Sequence, residues 1–172
     1  PNIDEDILFA VDKVDSGNFS QSDVLHPEGW ELLSFIMDSR TGLGRFKDFK
    51  ISNYDLMMML MDKCIEIPLE EILKLPDIVE RTDLFFEQEE KFKDQLKRCS
   101  KIYGNLILTD MRKEDPIFAG NRFMIYALYP DQNISIQAMW GRDQANTVFA
   151  IGKSIVNLSS NTNIGELCLK YG

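Results

Sequence analysis

TVFAIGKSIVNLSSNTNIGELCLKYG, residues 147–172, changes its character twice. Thr147 to Ile151 is rich in β-branched and aromatic residues, the composition of a strand. Ser159-Ser160-Asn161-Thr162 is loop composition. Asn163 then stands as an N-cap, with Glu166 three residues on in capping-box position. Ile164, Leu167, Cys168 and Tyr171 recur at i, i+3, i+4 and i+7, one apolar face of a short helix. Gly172 stands where such a helix would enter a left-handed turn. A strand, a polar loop and a helix in this order predict an α/β (α+β) body at this end of the chain.

Working back along the chain, three more segments read as strands: Leu106 to Met111, Phe123 to Tyr129 and Ile134 to Trp140. Short links between the last three strands predict an antiparallel meander. Before Gly104 the character is helical. Pro76 opens a helix in the N1 position and the pattern runs to about Tyr103. Its middle, Glu87 to Arg98, is heavily charged, and only Phe85, Phe86, Phe92 and Leu96 give regular apolar contacts, as in helices that connect two bodies. Further helices are expected over 3–15, Trp30 to Met37, Leu56 to Cys64 behind a Ser52/Asp55 cap, and from Pro68. The expected organisation is a helical part over 1–75, a connecting helix over 76–104 and a smaller mixed-sheet domain over 105–172.

Composition narrows the function classes. The chain has 172 residues, 44% hydrophobic and 27% charged, which is globular composition. No apolar run approaches the ~20 residues of a membrane span, and no basic n-region marks a signal peptide. Pro1 is not an initiator, so a processed or cut N-terminus is expected. Cys64, Cys99 and Cys168 lie far apart without CxxC spacing, and are expected reduced and buried in a cytoplasmic protein. The net charge is −9, and it is uneven: 22 acids against 13 bases over 1–104, six against six over 105–172. That acidity argues against nonspecific duplex-DNA binding but leaves room for a small anion held by local donors. The single histidine, His26, excludes a His-rich metal site and leaves the serines without a plausible Ser-His-Asp partner.

Three stretches could carry chemistry. In Asp12-Lys13-Val14-Asp15-Ser16-Gly17-Asn18 a carboxylate at a helix end can be aimed into a cleft, where Mn²⁺ or Mg²⁺ would take oxygen ligands. The same spacing describes a solvated last turn with a glycine stop. In Asp110 to Arg122 a strand ends and a loop, DPIFAGNR, could present Arg122 to a phosphate through its two-pronged guanidinium. A surface arginine beside a strand reads equally well. In Arg45-Phe46-Lys47-Asp48-Phe49-Lys50 aromatics between cations could stack bases, but a loop with its aromatics packed inward is the simpler reading. The Met57-Met58-Met59 run with Met61 reads as core filler.

GKSIVNLSSNTNIGELCLKYG resembles the end of the DHH-associated substrate domain of DHH-family phosphoesterases. LTDMRKEDPIFAGNRFMIYALYPDQNISIQAMWG resembles the same domain in the exopolyphosphatase-related branch. VDKVDSGNFSQSDVLHPEGWELLSFIMDSRTGLGRFKDFKISNYDLM is similar to the helical end of that branch's catalytic domain. The resemblance implies a two-domain hydrolase acting on phosphate esters or phosphoanhydrides of short nucleotides, oligonucleotides or polyphosphate, with two Mn²⁺ ions (Mg²⁺ as the substitute) in a cleft between domains. It implies Asp15 as a metal ligand, with Asp12 as the fallback, and Arg122, Ser154 and Gly172 as substrate contacts. The partners implied are a small phosphorylated substrate, a nucleotide or a short oligonucleotide, not duplex DNA and not a membrane; a homodimer is compatible.

The family's aspartate-rich motif and Asp-His-His triplet would lie before Pro1, and its GGGGH turn would begin at Gly172. The arginine often found after the family's last strand has no match in Val156-Asn157-Leu158. The chain therefore reads as a piece of such an enzyme, inactive alone, because one carboxylate cannot hold two Mn²⁺ ions. Two rivals remain: a non-catalytic ligand-binding or regulatory module that keeps only the substrate-domain fold, and a RecJ-type single-strand nuclease, which the neutral second half disfavours.

Overall fold

Early acids and a late glycine bound the first helix. In the computed structural model, which describes residues 5–171, α1 is Glu5–Ser16, with Glu5 and Asp6 in its first turn. Gly17 takes φ 66° and ends it; its N–H donates to the Val14 carbonyl (3.2 Å) and the Asn18 N–H to the Lys13 carbonyl (3.0 Å). Ile3, expected in the apolar stripe of this helix, lies outside the described residues. Lys13 then ties α1 to its neighbours through Asp23 (3.0 Å) and Glu31 (2.5 Å).

Ser20 and Asp23 form a reciprocal capping box that starts α2, Gln21–Leu25. His26 is its C-cap and is exposed. α3, Gly29–Met37, buries Leu32, Leu33, Phe35 and Ile36. Two single 3₁₀ turns follow, Ser39–Thr41 and Leu43–Arg45. α4 is Asn53–Glu66, and the Ser52 hydroxyl accepts the Asp55 N–H (3.0 Å) as the sequence predicts. The short α5, Leu69–Ile72, precedes α6, Pro76–Cys99. Residues of α6 belong to both of two compact units, Pro1–Phe92 with Phe118–Arg122, and Lys93–Ile117 with Phe123–Gly172.

The second unit departs from the sequence expectation at two elements. Ser100–Tyr103, read as the last turn of the connecting helix, is strand β1, paired antiparallel with β2, Leu106–Asp110. The two-residue link Gly104-Asn105 is itself a hairpin signal, and Gly104 takes φ 62°. Met124–Leu128, inside a segment read as a strand, is helix α7, with Met124, Ile125, Tyr126 and Ala127 all buried. A segment apolar on every side has no period to read, so pattern alone cannot separate strand from helix.

The order of the four-stranded sheet is β1-β2-β3-β4, with β3 at Ile134–Trp140 and β4 at Thr147–Lys153. β2 and β3 are parallel, in register from Leu106↔Ile134 to Asp110↔Ala138, and only β3–β4 is an antiparallel pair of the meander expected there. Parallel neighbours need a crossover of a dozen or more residues, usually helical, and α7 lies within it. The Tyr126 and Ser135 hydroxyls share a hydrogen bond of 2.8 Å, and a Cβ at Gly152 would collide with the Tyr126 hydroxyl. That close approach is why β4 carries a glycine there. Helices and a mixed sheet together give the α/β class expected.

α8, Ile164–Tyr171, has its expected cap: the Glu166 N–H donates to Asn163 Oδ1 (3.2 Å). Its apolar face is little buried, with Ile164 and Leu167 half-buried and Cys168 and Tyr171 exposed. The three cysteines are free as expected, but Cys64 and Cys99 are half-buried and Cys168 is exposed, not buried. No described helix is long and apolar enough to cross a membrane.

Candidate functional site

Asp15 is exposed in the last turn of α1. It borders a groove of ≈ 620 Å³ whose wall is otherwise largely apolar, with Ala10, Val14, Trp30, Leu33 and Met57 among its lining. Asp12 is exposed and is not among the groove's lining residues. The Ser16 hydroxyl beside Asp15 donates to the Asp12 carbonyl (2.7 Å), so the DSG turn is closed by its own backbone. Mn²⁺ and Mg²⁺ ask for several oxygen donors. Among the described residues no three His, Cys, Asp or Glu side chains come together, so Asp15 alone does not supply such a donor set.

The better-built arrangement in the first unit is the loop after α3. Asp38 leaves the helix in extended backbone and caps the next turn, accepting the Arg40 N–H (2.9 Å). Arg40 also forks onto its carboxylate through Nε (2.8 Å) and Nη2 (2.7 Å). Arg122 brings its Nε within 3.6 Å of Asp38 Oδ2. Thr41 is buried, its hydroxyl donating to the Phe35 carbonyl (2.6 Å), while its own carbonyl accepts the Gly120 N–H (3.0 Å). Gly42 takes φ 84°, and a Cβ there would collide with the Arg45 guanidinium.

Arg45 donates to the Phe118 carbonyl (3.2 Å), and Phe46 stacks on the Phe118 ring at 6.2 Å and 10°. These contacts fix Phe118–Arg122, the FAGNR end of the DPIFAGNR loop, against the loop after α3. Arg40 and Arg122 thus both approach the Asp38 carboxylate, and guanidinium groups suit a phosphate. Burial raises the Asp38 pKa, but the Arg40 fork and the Arg122 charge outweigh it and hold the carboxyl below its ordinary range. Asp38 also borders a second groove, of ≈ 330 Å³, that shares Ser39 and Asn53 with the first.

Phe46 and Phe49 both pack, as the simpler reading of the basic-aromatic stretch expects. Phe49 lies under the Arg81 guanidinium at 4.0 Å. Ser154, in the second unit, is 2% exposed, and its hydroxyl oxygen accepts the Val156 (3.1 Å) and Asn157 (2.9 Å) N–H groups. As placed, it shapes the loop after β4. Gly172 lies outside the described residues.

Asp110 and Arg112, at the end of β2, form a second tight pair: Nε to Oδ1 (2.9 Å) and Nη2 to Oδ2 (2.7 Å). The Arg112 side chain and then its backbone N–H hold the Asp110 pKa down at about 2. A depressed carboxylate stabilises the fold above its unfolded pKa and loses that contribution as pH falls through the folded value. Carboxyl NMR should therefore give Asp110 a midpoint near 2; a midpoint at the ordinary 3.8 would mean the Arg112 fork is open in solution.

No family model matches the chain, and no curated protein matches it. Among solved structures, PggH, a pGpG-specific phosphodiesterase from Vibrio cholerae, aligns with a TM-score of 0.88 and 55% identity. The chain is similar to PggH along almost all of its length. The alignment covers 97% of this chain and 56% of PggH, so the chain spans little more than half of that protein. At this coarse level the likeness to PggH agrees with the phosphoesterase resemblance in the sequence.

The site residues expected from sequence fall in both units. Asp15 and Arg122 belong to the first unit and Ser154 to the second. Sequence reading missed Asp38 and Arg40, which directly follow the helix expected over Trp30 to Met37. An aspartate two residues before an arginine is the signal that could have found them, and Asp110-Met111-Arg112 repeats it. Trp140, 42% exposed at the end of β3, was read only as part of a strand.

Proposed function

We propose that this chain is part of a DHH-type phosphoesterase that hydrolyses short nucleotides, with a dinucleotide such as pGpG as its first substrate. The observation that carries this is the 55% identity to a pGpG-specific phosphodiesterase over 97% of the chain. Hydrolysis of such a substrate adds one water across the linking phosphodiester and releases two nucleoside monophosphates. In this reading Arg122, steadied by Asp38, pairs with non-bridging phosphate oxygens and offsets charge as it develops. Ser154, buried, orders the loop after β4 on the substrate's side, and Gly172 is a further substrate contact. Manganese is the proposed cofactor and Asp15 one of its ligands; Asp15 needs further ligands that the described residues do not bring to it. A cytoplasmic location is proposed too, and free cysteines fit it.

The native polypeptide, assayed with Mn²⁺, should turn over pGpG ahead of longer RNA, adenosine bisphosphate and polyphosphate. Absence of turnover on all four would remove the enzyme reading and leave a ligand-binding module.

A further inference from the structure

The parallel strands β2 and β3 end side by side, and open α/β sheets place ligands beyond such carboxyl ends. Trp140 is the last residue of β3 and is 42% exposed. Its ring does not swing freely: the indole N–H donates to the Arg112 carbonyl (2.8 Å), just past β2. The Arg112 guanidinium, locked by its fork onto Asp110, stands 5.9 Å from the Trp140 ring centroid. The register Trp140↔Thr147 puts Phe149 on the same sheet face, diagonally across, and it is 60% exposed. One end of one sheet face thus holds two exposed aromatic rings and an oriented guanidinium. Water gains nothing from a fixed indole face, whereas a purine base stacks on it, and a neighbouring guanidinium strengthens such stacking.

We propose that Trp140, fixed by its hydrogen bond to Arg112, is the stacking surface for a purine base of the nucleotide ligand. This rests on the nucleotide reading above, but binding tests it apart from turnover. Calorimetry on the native polypeptide should show GMP binding that weakens about 10-fold in Trp140→Ala and largely recovers in Trp140→Phe. Ribose 5-phosphate, which keeps the phosphate and lacks the base, should bind all three proteins alike. Equal GMP affinity in wild type and Trp140→Ala overturns the proposal, as does equal loss of both ligands, or no GMP binding by the wild type. If pGpG is hydrolysed and its KM does not change in Trp140→Ala, the stacking surface falls and the phosphoesterase stands. If GMP binding depends on Trp140 while pGpG is never cut, the reverse holds.

Discussion

Arg122→Ala should raise KM for a dinucleotide substrate about 10- to 100-fold while leaving the melting temperature nearly unchanged. A charge-assisted hydrogen bond to phosphate contributes about 1.5–3 kcal/mol, which converts to that range. Loss of the Arg122 contact with Asp38 itself costs little, because it is loose at 3.6 Å and Arg122 is exposed. A pair this long, with its arginine exposed, contributes about 0–1 kcal/mol. Asp38 also keeps its tighter partner, Arg40, after the substitution. Steady-state kinetics together with thermal unfolding separate the outcomes. An unchanged KM would make Arg122 a structural residue, and a large loss of melting temperature would make its contacts part of the fold.

The largest stability effect is expected from Arg81→Met. Arg81 is 0% exposed, and its guanidinium donates to the Asp77 carbonyl (2.9 Å), the Ile51 carbonyl (2.8 Å) and Asn53 Oδ1 (3.2 Å). Its flat face covers Phe49. Burial lowers its pKa, and the charges of Asp77 and Glu80 oppose that. One side chain thus joins α6 to the start of α4 and to the segment just before it. Methionine keeps most of the apolar stem but leaves the Ile51 carbonyl and the Asn53 amide without these bonds. The expected cost is about 2–4 kcal/mol, or roughly 5–15 °C in melting temperature for a chain of this size. A drop below about 2 °C would show that those bonds carry no net stability.

Both expectations depend on contacts between residues far apart in sequence, and they mark where sequence reading stopped. In α4 and α8 the helix starts were legible, because Ser52 and Asn163 bond N–H groups three residues away. β3 was legible because Ile134 to Trp140 is bounded by turn residues on both sides. The two misread elements had no such local cause. Ser100–Tyr103 became a strand because Gly104-Asn105 folds it onto β2, and Met124–Leu128 became a helix because it lies in a parallel crossover.

The sequence by itself determined the class, the helix caps, the inward packing of Phe46 and Phe49, and the resemblance to a phosphoesterase. These follow from neighbours within a few residues or from the order of motifs along the chain. Tertiary structure alone decided which charges meet. Asp38 lies 84 positions from Arg122, and Trp140 lies 28 from Arg112. Pairing at that separation is set by how helices and strands pack, and a one-dimensional pattern of residues carries no distance between them.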